Sequence, residues 1–187
     1  WCVTGTGSAL VQESVVRTGA AALMVAAEEP SSVFLSRTIS TNRGETVWVD
    51  VYILARQAAM PEGVDLGTFN GFLFDREGHP VACSADGAQT NRRIRVSLDG
   101  WVRMTTRLDY AVRTWELYVD GVLAARDLPL AGSAATFQGI GFEGEGDATL
   151  DDVIISRTRP QGLSSDGDLL PDEWEIRHFG SLDRTGF

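Results

Sequence analysis

Apolar and polar residues alternate with period two along most of this chain, and the alternation fades only in the last twenty or so residues. Thr46-Val47-Trp48-Val49-Asp50-Val51-Tyr52-Ile53-Leu54 puts Val47, Val49, Val51 and Ile53 on one face and Trp48, Asp50, Tyr52 and Leu54 on the other. That pattern predicts a strand between a core and a half-wet surface. Ile94, Val96 and Leu98 alternate with Arg93, Arg95 and Ser97. Val102, Met104, Thr106 and Leu108 alternate with Trp101, Arg103, Thr105, Arg107 and Asp109. Both runs read as strands with one solvated face. Further strands are expected near 20–26, 32–40, 69–75, 80–84, 113–119, 122–127, 136–143 and 148–157. In the hairpin Trp115 to Ala125, Asp120-Gly121 supplies the positive backbone angles of a tight two-residue turn. Trp115, Leu117 and Val119 then point inward, and Glu116 and Tyr118 away. Many strands with Asp-Gly and Glu-Gly punctuation describe an all-β fold, an antiparallel two-sheet β-sandwich of the jelly-roll kind.

The pattern changes at the end. Pro171 at a first helical position, an apolar stripe of Trp174, Ile176 and Phe179, and Gly180 as terminator predict one short C-terminal helix, with Trp174 anchoring it on the sandwich or on a next module. The 187 residues suffice for one well-buried core and an appendix. The expected organisation is a sandwich over 1–160 and a linker with helix over 161–187 that leads to a further module.

Charge narrows the partners. The formal net charge of −10 argues against nucleic acid and against an anionic membrane surface, which both select a basic face. No run approaches a membrane span, so membrane insertion is not expected. An acidic, extracellular protein, secreted or at the cell surface, fits this balance. Cys2 and Cys83 are too few for a zinc site, and His79 and His178 lack metal-site spacing. The two cysteines either form a disulfide, Cys2 to Cys83, tying the first strand to a mid-chain strand, or remain separate buried thiols.

The hairpin around Asp120-Gly121, the strand with Trp48, and the closing run Leu150-Asp151-Asp152-Val153-Ile154-Ile155 resemble the concanavalin A-like jelly-roll superfamily, in particular its laminin-G-like and carbohydrate-binding modules. The likeness spans about residues 1 to 158. It implies a sandwich fold and leaves function open among lectins, glycan-binding modules, adhesion domains and glycosidases. It also implies that Asp151 or Asp152, on the closing strand, holds a structural calcium near the N-terminal segment; the alternative is a carboxylate satisfied at the sheet edge or paired with an arginine.

The tail resembles thrombospondin type 3 and dockerin-like calcium repeats. In a twelve-residue loop starting at Ser164, Asp166, Asp168, Asp172 and Glu175 fall on positions three, five, nine and twelve, and Leu170 offers its carbonyl at seven. Calcium prefers such oxygen-rich loops because it takes six to eight hard ligands. Ser164 stands where the first acidic ligand belongs, and Leu169 where a glycine permits the sharp turn; both departures weaken binding. The alternative is a helix entry with Asp172 and Glu173 at the helix N-terminus.

Catalysis is not expected. Retaining glycosidases on this fold place two carboxylates about 5 Å apart on one strand face, and Val49-Asp50-Val51-Tyr52 has no flanking glutamates. The first functional reading is a glycan or surface polymer bound by an outward row of Trp48, Asp50 and Tyr52 beside Trp101, Arg103 and Arg107, where aromatic faces stack on sugar rings and charged groups bond hydroxyls. Loops bearing Asn70, Asp86, Gln89 and Asn91 are the rival location. The second reading is a structural subunit that packs against neighbouring modules or copies of itself, with the small-residue run 19–27 as a bland edge strand.

Overall fold

A computed structural model describes residues 2–27, 32–36, 45–56, 70–143 and 146–182. Its largest sheet has seven antiparallel strands in the order β11 (Val122–Pro129), β10 (Thr114–Val119), β9 (Trp101–Asp109), β5 (Thr46–Leu54), β13 (Gly146–Ser156), β3 (Ala22–Ala27) and β2 (Ser8–Gln12). Two three-stranded antiparallel sheets make the second layer. One is β1 (Cys2–Gly5), β4 (Ser32–Ser36) and β12 (Gly139–Glu143); the other is β6 (Gly71–Phe74), β7 (Pro80–Ser84) and β8 (Gly87–Thr90). The expected all-β sandwich is the fold of this chain, and helix α1 (Asp172–Phe179) follows it.

The core follows from the alternation. Val51, Val102, Met104, Trp115, Leu117, Val119 and Leu150 are buried on the inner face of the large sheet and pack with Phe74 of β6 and Ala82 of β7. Farther along β5, Val47 and Val49 pack with Phe137 and with Ile140 of β12. The continuous inner stripe of β5 thus meets both small sheets. Each fully buried aliphatic or aromatic side chain in such a stripe contributes about 1.5–3 kcal/mol.

The turn at Asp120 and Gly121 takes φ 48° and 84°, the positive angles its residues predict. Gly121 serves a second contact as well, because a Cβ there would collide with the carbonyl oxygen of Gly162 in the C-terminal segment.

Several expectations need correction. The alternating run 93–98 is not a strand. Asn91 Oδ1 accepts the N–H groups of Arg93 and Ile94 and bends the chain there, while Val96 N–H bonds to Gly78 O at 2.9 Å outside any ladder. Strands β2 and β8 were not foreseen, being short and polar or small. The end of the expected strand 32–40, residues 37–40, lies outside the described residues, as does 183–187 of the expected appendix. The small-residue run is no edge, because β3 lies between β13 and β2.

The Cys2 to Cys83 disulfide is not formed. Cys83 is a free thiol buried in β7, and burial raises its pKa. Cys2 begins β1, whose ladder partner β4 belongs to a different sheet from β7.

Candidate cation site and the covered outer face

The outer face of the large sheet carries the predicted sugar-binding row, and the structure places all six residues on it. It is not an open platform. Trp48 is only 7% exposed, packed with Tyr118 and Leu163. Leu163 belongs to the segment after β13, so the C-terminal tail roofs this face. The tail is fastened by backbone bonds: Ser164 N–H donates to Gly121 O at 2.8 Å, and Leu123 N–H donates to Ser164 O at 3.1 Å. Arg103 Nη1 donates to Gln161 O at 2.9 Å.

The charged members of the row are spent on ion pairs within the sheet. Arg103 donates Nε and Nη2 to both oxygens of Asp50, at 2.9 and 2.8 Å, and Thr105 Oγ1 donates to Asp50 Oδ1 at 2.6 Å. This bidentate pair raises the pKa of Arg103. Arg107 bridges Asp109 at 2.8 Å and Glu116 at 3.0 Å. Tyr52 is capped by the Arg17 guanidinium, 3.3 Å from its ring centroid. Trp101 is half-buried at the start of β9. The row therefore serves packing and ion pairing, and the expectation of a stacking surface at Trp48 and Tyr52 is corrected. Alternation assigned the faces properly, but only the tail decides that the second face is dry around Trp48 and Tyr118.

Asp151 and Asp152 sit at a break in the register of β13 with β5, and Asp152 takes φ 51°. Asp151 accepts N–H bonds from Arg17, Thr18 and Asp152. Burial opposes its ionisation, but these backbone bonds outweigh it and hold its pKa below the ordinary value. Asp152 pairs with Arg17 Nη1 at 2.6 Å and accepts from Thr18 Oγ1 at 2.9 Å. The calcium expected at Asp152 is corrected accordingly: the cation here is Arg17, supplied by the chain itself.

The tail loop is different. Carboxylate oxygens of Asp166, Asp172 and Glu175 lie within 4.8 Å of one another. Glu175 is fully buried, and neither of its oxygens has a hydrogen-bond partner. Burial first, then the charges of Asp168, Asp166 and Asp172, push its pKa up. A buried carboxylate without donors is costly, and it faces two more carboxylates. Oxygen-only donors of net charge −3 suit a hard divalent cation such as calcium.

The backbone supports that fit. Leu169, at the sixth loop position, takes φ 76°, so the left-handed turn is made even without glycine. A leucine held there bears a cost of about 1–2 kcal/mol. Asp168 Oδ1 accepts Leu170 N–H at 2.7 Å and tightens the turn; its carboxylate lies outside the three-residue cluster. Asp172 accepts Ser165 N–H at 2.7 Å and Arg159 Nη2 at 2.6 Å, and these bonds lower its pKa against the effect of burial. Ser164 is buried, and its hydroxyl donates to Asp166 Oδ1 at 3.1 Å.

Helix α1 is turned opposite to its expected orientation. Its buried residues are Asp172 and Glu175, while Trp174, Ile176 and Phe179 are exposed. Gly180, φ 75°, ends it with an N–H bond to Ile176 O. The acidic side docks inward, and the stripe forms a surface cluster in which Trp174 stacks on His178 at 4.3 Å and meets Phe179 edge-on at 5.4 Å.

A second group was not foreseen. Asp75, Glu77 and His79 also converge within 4.8 Å. Here Asp75 Oδ1 accepts the N–H groups of Glu77 and His79, and its Oδ2 lies 3.1 Å from His79 Nδ1. The Asp75 carboxylate closes a turn. Of the rival loop residues, Asn70 and Asn91 hold backbone groups of Ala131 and Ala124, whereas Asp86 and Gln89 are exposed.

No protein-family model matches this chain, and no curated protein matches its sequence. Solved structures do share its fold. The Trypanosoma rangeli sialidase in complex with the inhibitor DANA aligns at TM-score 0.52 and 14% identity, covering 82% of this chain and 28% of the sialidase. A mutant of the same sialidase displaying trans-sialidase activity aligns at TM-score 0.51 and 15% identity, with the same coverage. The binding domain of botulinum neurotoxin DC in complex with SialylT aligns at TM-score 0.50 and 11% identity, covering 84% of this chain and 43% of the toxin domain. The chain thus spans under a third of the sialidases. At these identities the likeness shows the fold alone. None of the comparisons supports the resemblance of the tail to thrombospondin type 3 or dockerin-like repeats, and the oxygen cluster stands on its own geometry.

Proposed function

We propose that this chain is a non-catalytic, secreted β-sandwich module that binds a glycan or surface polymer within a larger protein, and that calcium braces its C-terminal tail against the sandwich. The observation that carries this reading is Glu175, fully buried, with neither oxygen partnered, facing Asp166 and Asp172. Bound calcium offsets two of the three carboxylate charges and fixes α1, and with it the tail that covers Trp48. Asp166, Asp172 and Glu175 would hold the ion, with Asp168 and the Leu170 carbonyl completing the loop. The glycan part draws on the shared fold of the toxin domain solved with SialylT and of the sialidases. It moves the ligand away from the roofed Trp48 row.

The test is thermal unfolding in millimolar calcium and in chelator. At a hundredfold excess over Kd, calcium adds about 2.7 kcal/mol, which raises Tm by roughly 5–10 °C for a chain this size. An unchanged Tm ends the calcium reading.

A second reading, a structural subunit that packs against a neighbour or a copy of itself, draws on the exposed Trp174, Ile176 and Phe179. Sedimentation over a concentration series separates the two: growth in mass that Trp174→Ser abolishes favours packing, and a constant monomer mass removes self-association.

A further inference from the structure

We propose that the cleft between β8, β11 and the tail loop binds an acidic sugar residue, whose carboxylate and adjacent hydroxyl oxygens complete the coordination of the cation held by Asp166, Asp172 and Glu175. This rests on the calcium reading above and adds the ligand's place and class.

Two of the three cluster residues are buried, and the third, Asp166, is exposed. The cluster therefore opens on one side. On that side lies a polar cleft of about 320 Å³ lined by Gln89, Leu123, Ala124, Arg126, Asp166 and Gly167. Asp166 belongs to both the cluster and the cleft. The donor count leaves room for a ligand: calcium takes about six to eight oxygens, and the first loop position, ordinarily an acidic ligand, is the buried Ser164, with its hydroxyl on Asp166 and its backbone on the β10–β11 hairpin. Open positions on a protein-held cation are filled by water or by an incoming ligand's oxygens.

The cleft itself offers hydrogen-bond donors to an anion. Arg126 is exposed and reaches over the loop, Nη2 donating to Ser165 O at 2.6 Å. Its other N–H groups and the Gln89 amide can donate to a carboxylate and a ring hydroxyl. A divalent ion offsets two of the three carboxylate charges and Arg126 the third, so an incoming carboxylate meets a wall without net negative charge. A sugar carboxylate that bridges cation and guanidinium satisfies both.

The test uses terbium in place of calcium and sodium D-glucuronate as probe. Luminescence lifetimes of the terbium-loaded protein in H2O and D2O count the waters on the ion. At least one is expected, since Asp166, Asp168, the Leu170 carbonyl, Asp172 and Glu175 supply at most about six of some six to eight positions. Glucuronate should displace at least one and lengthen the lifetime, whereas methyl β-D-glucoside, which lacks the carboxylate, should require about tenfold more, as expected for loss of a charge-assisted bond. The double variant Gln89→Ala, Arg126→Ala, measured at saturating terbium, should weaken glucuronate about tenfold or more while still taking up one terbium per chain. No uptake of terbium overturns the calcium reading itself. Uptake with a dry inner sphere, waters that glucuronate does not displace, or equal action of the neutral glucoside overturns the cleft proposal and leaves the calcium reading intact.

Discussion

Two pairs of neighbouring acidic groups in this protein look alike in sequence and end in opposite situations. Asp151 and Asp152 receive three backbone N–H bonds, a threonine hydroxyl and the Arg17 guanidinium. Asp172 is likewise served by Ser165 and Arg159, but Glu175 beside it receives nothing. The number of carboxylates does not mark a cation site. What marks it is a buried carboxylate for which the chain provides no countercharge and no donor.

The comparison is broken most forcefully at Asp151. Asp151→Ala removes the acceptor of three N–H groups, those of the exposed Arg17, Thr18 and Asp152, each bond contributing about 0.5–1.5 kcal/mol net because water can take the acceptor's place. The variant should lose about 1.5–4 kcal/mol by denaturant unfolding, equally in calcium and in chelator. A loss that calcium restores would show that this pair, too, needs an external ion.

Glu175→Gln should act in the other sense. It removes a buried charge that only a cation satisfies, so scanning calorimetry should find the variant as stable as the parent or more so in chelator, with the calcium-dependent rise in Tm abolished. A variant that keeps the full calcium response would place the ion elsewhere.

Leu169→Gly sharpens the comparison more gently. It relieves the left-handed strain at the sixth loop position, which costs about 1 kcal/mol or more. Greater freedom of the unfolded chain offsets part of the gain. Calorimetric titration should show tighter calcium binding, by a fewfold, with little change in Tm under chelator.

The smallest effect is in acid. Asp151 has a folded pKa below its unfolded value, so the stability it contributes is complete above the unfolded value of about 3.9 and is lost as pH falls through the folded one. Unfolding followed below pH ~5 in chelator should show this loss, and Asp151→Asn should flatten it. A profile unchanged by the substitution would assign the acid sensitivity to another carboxylate.

How far these sites were legible in sequence differs by region. The inner face of β5 and the turn at Asp120-Gly121 were readable because they depend on neighbours in the chain: alternation of Val47, Val49 and Val51, and two residues that accept positive φ. The dry outer face was not, because Trp48 is covered by Leu163, more than a hundred residues later, and period two says which residues share a face but not what lies over it. The carboxylates of the loop were readable from their spacing. The orientation of α1 was not: hydrophobicity assigned Trp174 and Phe179 inward, but the tail turns Glu175 in instead. Arg17 was overlooked because nothing local ties an arginine in a loop to a carboxylate in the closing strand.

The contact between Gly121 and Gly162 ties two stretches of chain together in evolutionary as well as spatial terms. A turn with positive φ at both central residues already favours glycine at its second position, so the hairpin alone leaves residue 121 little choice beyond Gly, Asn or Asp. With the tail seated, any side chain there meets the Gly162 carbonyl, and that choice closes. Residue 121 therefore records whether the roof is present. Among descendants of a common sandwich, those that lost the tail should admit Asn or Asp beside glycine here, and those that kept it should hold glycine alone.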